Sequence, residues 1–200
     1  MTWPGVVFGQ AAVAEAPAAN EPYSGPPTLF RKEPQLGGYV GPSLAFTRFD
    51  RQPGTLLGLE ACFLLNHTIA FGAAGYLWAT ETRGPLASDG SSQNLEVFYG
   101  GTVFRYSFFT DFLVYPSAGA FLGAGAGTLV PDAGGRVPRS NTDTFFVFEP
   151  QLSLHSNITR WARVTLQAGY RLAAGVSRFG YDEGAYRAAT LGGAVQVGRL

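Results

Sequence analysis

Cysteine and methionine each occur once in 200 residues. A single Cys62 excludes an intramolecular disulfide and reads as a small apolar residue on a strand. Charge is scarce too: 14 basic and 14 acidic residues cancel to zero. Without a basic stripe to collect phosphates, nucleic acid is excluded as an expected partner. No apolar stretch reaches the roughly 18 residues of a transmembrane helix. That absence leaves a membrane barrel open, because barrel strands are short and only half apolar.

What the chain has is apolar residues (46%), 27 glycines and 14% aromatics. Disorder is therefore not expected for most of it. The amino-terminal end differs. Val6 to Ala14 is a short apolar segment in which Ala12-Val13-Ala14 resembles a small-residue cleavage site, although no basic residues precede it. From Asn20 to Pro34, prolines and scattered charges describe a linker. Residues 1–35 are expected to be an export-signal remnant or a disordered proline-rich tail, and residues 36–200 one domain.

That domain has a rhythm of strand-like runs. Eight strands are predicted, at about Leu36–Phe49, Thr55–Leu65, Ile69–Thr82, Leu95–Phe109, Leu113–Val130, Thr144–Ser156, Trp161–Val176 and Tyr186–Leu200. The connections alternate in length. Asn66–Thr68, Thr110–Phe112 and Asn157–Arg160 are tight; Asp50–Gly54, Arg83–Asn94, Pro131–Asp143 and Ser177–Ala185 are longer. In an up-and-down meander, alternate connections fall at one end of a barrel.

The faces decide what kind of barrel. In the sixth strand Phe146, Phe148, Pro150, Leu152 and Leu154 share one parity, and Glu149, Gln151, Ser153 and His155 the other. In the seventh, Val164, Leu166, Ala168, Tyr170 and Leu172 oppose Arg163, Thr165, Gln167 and Arg171. The second and eighth behave alike; the third, fourth and fifth alternate poorly, which suggests a bulge. A wholly apolar face opposite one bearing Glu, Gln and Arg inverts a soluble barrel, as lipid requires. An arginine on the lipid side near the midplane would cost about 2–4 kcal/mol. Glu60, Arg105, Glu149, Gln151, Arg163, Gln167, Arg171 and Gln196 are therefore expected to form a polar network inside. An eight-stranded interior is just wide enough for side chains to fill.

Aromatics collect near the predicted strand ends and suggest interfacial girdles. Phe46, Phe49, Trp78, Phe145, Phe146, Phe179, Tyr181 and Tyr186 fall toward the long connections, and Tyr39, Phe109, Phe112, Tyr115 and Trp161 toward the short ones.

With these features the chain resembles the small eight-stranded bacterial outer-membrane barrels, of the outer-membrane protein A and outer-membrane protein X type, from about Leu36 to Leu200. The resemblance rests on architecture rather than on a motif. It implies an all-β, antiparallel, up-and-down transmembrane barrel with a polar, filled lumen. Outer-membrane lipid and the barrel-assembly machinery are the partners it implies. Family members commonly end in Phe, whereas this chain ends Val197-Gly198-Arg199-Leu200.

Candidate chemistry is thin. His155-Ser156 invites comparison with outer-membrane lipid A deacylases, but adjacent residues on a strand point to opposite faces. Gly123, Gly125 and Gly127 lack the Lys of a phosphate loop and read as close-packed wall. Asp132, Asp143, Asp182 and Glu183 match no calcium loop, and neither a metal nor a cofactor is expected. The leading expectation is a non-enzymatic outer-membrane barrel with a structural role, or a surface ligand held by its long loops. The alternatives are a lipid-modifying membrane enzyme and a soluble, lipocalin-like ligand-binding barrel.

Overall fold

The computed structural model describes residues 35–80, 84, 92–131, 142–176 and 183–200. Eight strands follow one another: β1 Leu36–Phe49, β2 Gln52–Leu65, β3 Ile69–Trp78, β4 Gln93–Ser107, β5 Val114–Pro131, β6 Thr142–Asn157, β7 Ala162–Ala174 and β8 Ala188–Arg199. A four-residue helix, α1 Glu183–Tyr186, precedes β8. Each strand pairs antiparallel with the next, and β8 pairs with β1, so the sheet closes. Closure removes both edges, which satisfies backbone groups without water.

Parity runs through every strand. Inward positions are mostly buried and outward positions exposed; Phe63, Phe71, Leu77, Leu122, Leu152, Leu166 and Leu191 all face out. The charged residues on outward parity of the eight strands are Arg48, Glu96 and Arg199, each within a few residues of a strand end. Between the ends the exterior is apolar.

Three features depart from the sequence reading. First, Asp50–Gly54 is not a loop. Phe49 pairs with Gln52, leaving a two-residue turn, Asp50-Arg51, with φ of 43° and 65°. Positive φ at both positions is the turn whose twist suits a tight hairpin. Pro53 and Gly54 belong to β2 beyond the last pair with β3, where a missing N–H costs little. A side chain on Gly54 would strike the Trp78 ring, so the glycine makes room for that indole. The short–long alternation therefore begins only after the first hairpin.

Second, β3, β4 and β5 contain no parity shift. Their mutual registers run unbroken, from Ile69 opposite Tyr106 to Ser107 opposite Ser117. The alternation is obscured in sequence because Tyr76, Tyr99 and Phe121 point inward while glycine and alanine occupy both faces.

Third, the girdles are thinner than expected. Tyr39, Phe49, Tyr115, Phe145 and Tyr186 are buried in the lumen. Phe46, Phe109, Phe112, Phe146 and Trp161 are exposed outside, and Trp78 is partly buried. Parity, rather than nearness to a strand end, decides which rings meet the interface. Phe179, Tyr181, the tail 1–34 and most of the two longest connections lie outside the described residues.

Candidate functional site

The lumen is the place where chemistry-bearing residues converge, and it divides by height. Toward the short turns a polar network fills it. Glu60 of β2 and Arg105 of β4 meet at its centre, 3% and 1% exposed. Arg105 Nη1 donates to Glu60 Oε1 at 2.8 Å and Nη2 to Oε2 at 3.3 Å, a two-point pairing. The Tyr39 hydroxyl donates to Glu60 Oε1 at 2.5 Å and accepts from Arg105 Nη1 at 2.8 Å. Gln167 Oε1 accepts from Arg105, and Gln196 Nε2 donates to Glu60.

Arg163 pairs with no carboxylate among the described residues. Its Nε donates to Gln196 Oε1 at 2.6 Å, its Nη1 to the Tyr115 hydroxyl at 3.2 Å, and its guanidinium lies 4.3 Å from the Tyr39 ring centre. A planar cation over an aromatic face regains part of the solvation lost on burial. Glu60, Arg105, Arg163, Gln167 and Gln196 are thus linked in one network. Cys62 sits beside it, with its Sγ 3.6 Å from Glu60 Oε1.

The remaining expected lumen residues group elsewhere. Glu149 accepts from Gln151 Nε2 at 3.2 Å and from Thr190 Oγ1 at 2.9 Å. Arg171 donates to backbone, at 2.8 Å to Tyr186 O and 3.0 Å to Arg48 O, which ties the segment before β8 to the rim of β1. Of the four loop acids, Asp132 and Asp182 lie outside the described residues, Asp143 is buried, and Glu183 pairs with Arg187.

Above the polar network the lumen is aromatic. Tyr76, Tyr99 and Phe121 pack with ring centres 5.0–5.7 Å apart, and Phe49, Phe145 and Tyr186 form a second layer with Tyr186 between the other two. This filling was missed in the sequence, because inward rings look like lipid-facing ones until the register is known. The signal was present in β1, where Tyr39 shares parity with Ser43 and Thr47. A cavity of about 20 Å³ near Glu60, Tyr76 and Thr190 has room for about one water.

One arrangement imitates a catalytic centre. Ser117 Oγ lies 2.8 Å from His155 Nε2, and Thr165 Oγ1 2.8 Å from His155 Nδ1. That is nucleophile–base–orienter spacing. His155 is 0% exposed, however, and the Tyr115 ring stacks against it at 5.2 Å. Ser117 is itself 2% exposed. Ser156, which adjoins His155 in sequence, points away from it.

Against solved structures, Neisserial surface protein A superposes with a TM-score of 0.61 at 15% identity, over 84% of this chain and 100% of the other. The amino-terminal β-barrel domain of Pseudomonas aeruginosa OprF gives 0.51 at 12% identity, over 83% and 99%. This chain has the fold of the small outer-membrane barrels. No protein family and no curated protein matches it. At such identities the likeness concerns the fold.

Proposed function

We propose that this chain is an integral protein of the bacterial outer membrane, without enzymatic or pore activity, that stabilises the envelope or presents its long connections to a surface ligand. One observation carries the reading. The outward face is apolar between the strand ends, while Glu60, Arg105, Glu149, Arg163 and Arg171 are buried inside. In water that distribution would waste apolar area outside and desolvate charge inside. In lipid each half of it is required. A soluble lipocalin-like barrel would show the reverse, with apolar residues around a ligand cavity.

The sealed Ser117–His155 pair supports a non-enzymatic role, and the two aromatic layers support a closed lumen. The fold is that of outer-membrane barrels, which supports the location and assembly by the barrel-assembly machinery. A scaffold of this kind places function in its connections.

The test is fractionation with a gel assay. The chain is expected in the membrane pellet, released by detergent, and migrating differently before and after boiling. Recovery in the soluble fraction without detergent would overturn the reading. Planar bilayers are expected to show no unitary current.

A further inference from the structure

Where β8 closes on β1, the outer wall carries an apolar groove of about 750 Å³, within the range of ligand clefts. Gly193 is its floor, directly opposite Leu44 on one side and Leu166 on the other. Leu191 and Val195 bound it along β8. The neighbouring Gly192 is demanded by packing, since a Cβ there would lie 2.3 Å from Leu44 O. At Gly193 the crowding is milder: a Cβ would meet Thr165 O at 3.1 Å, so that carbonyl must shift by a few tenths of an ångström, and Leu166 Cδ2 at 3.7 Å, while φ is ordinary. The lack of a side chain at Gly193 keeps a trough open on the wall.

A cation stands at one end of the trough. Pro42, Leu44, Phe46 and Arg48 share the outward face of β1. Arg48 lies two residues beyond Phe46, about 7 Å further toward the long connections. Arg51, on the tip of the same hairpin, is also exposed and adopts positive φ, where glycine or asparagine is the favoured choice. Neither guanidinium bonds to another described residue, whereas Arg171 and Arg187 are both engaged. An outward arginine is cheap only where hydrocarbon gives way to headgroups. Apolar trough and free cations together match a molecule with an acyl chain and a phosphate.

We propose that this groove seats one acyl chain of an anionic phospholipid, with Arg48 and Arg51 meeting its phosphate. The proposal rests on the membrane reading given above. It makes the closing pair of strands a lipid-binding face and sets that face toward the leaflet at the long connections.

The chain folded in a mild non-ionic detergent is examined by native mass spectrometry, with phosphatidylglycerol or phosphatidylcholine added. One phosphatidylglycerol is expected to be retained in preference to phosphatidylcholine. The double variant Arg48→Gln, Arg51→Gln should lose the preference by about fivefold for each arginine, the factor expected of a basic residue at an anionic surface. Gly193→Leu fills the trough and should abolish retention of both lipids; Leu166→Trp narrows it from the opposite wall and should weaken both. The boil-sensitive band of each variant shows that it has folded. Equal retention by Gly193→Leu and the parent would overturn the proposal. So would release of the lipid by millimolar inorganic phosphate, or a dimer that disappears with Gly193→Leu and carries no lipid. A parent chain with no boil-sensitive band would instead overturn the membrane reading, and this proposal with it.

Discussion

The two ends of the lumen solve one packing problem by different means. Toward the short turns the space is filled by hydrogen-bonded side chains around Glu60 and Arg105; toward the long connections it is filled mainly by rings around Phe121 and Tyr186, with Glu149 and Arg171 among them. Hydrogen-bonded charges are directional and fail when one partner is lost, because the other is stranded out of water. Ring packing is less directional and fails in proportion to the volume removed. The lower half therefore depends on particular pairs, and the upper half on filled volume.

Glu60→Leu should cause the largest loss, about 3–5 kcal/mol, by leaving Arg105 buried without its carboxylate. Urea unfolding in detergent micelles measures it. Glu60→Leu combined with Arg105→Leu should recover most of the loss; a double variant as unstable as the single would show that the pair is not the organising contact. Phe121→Ala in the upper half should cost about 3 kcal/mol, and here a second truncation, Tyr76→Ala, should add damage rather than restore stability. Rescue in the aromatic half would erase the contrast between the two.

Tyr186→Leu should be milder. It removes ring contacts with Phe49 and Phe145, each of about 1 kcal/mol. Current in planar bilayers should stay absent, because the Tyr76–Tyr99–Phe121 layer still closes the barrel below. Unitary conductance in this variant would make Tyr186 the sole closure. The smallest effect belongs to Ser117→Ala, which loses one hydrogen bond to His155 and should cost about 1 kcal/mol in the same urea titration. Release of fatty acid from lipid by the parent chain, lost in Ser117→Ala, would show that the buried pair is reachable after all.

Legibility in the sequence followed how cleanly each strand alternates. In β6 and β7 the two parities differ sharply, and Glu149, Gln151, Arg163 and Arg171 are buried, and Gln167 partly buried, as their parity implies. In β3 and β5 alanine and glycine are spread over both faces and the inward face includes rings, so hydrophobicity could not separate them. Turn chemistry misled once. Pro53-Gly54 looks like a loop, yet its proline sits where β2 has only one hydrogen-bonded neighbour and its glycine lies under Trp78. Tyr39 and Tyr115, each buried against Arg163, were assigned to the interface because a tyrosine near a strand end suits either place.

Alternation in the clearest strands, together with the spacing of the strand-like runs, was enough to indicate an eight-stranded barrel with an apolar exterior and buried charge. That property is local: neighbouring side chains on a strand must face opposite ways, and lipid admits few charges. Which groups meet across the barrel was decided only by the register of closure. Glu60 reaches Arg105, His155 finds Ser117 rather than Ser156, and Gly193 comes to lie between Leu44 and Leu166. Those contacts depend on the stagger summed around all the strands, and no single segment of the chain contains that sum.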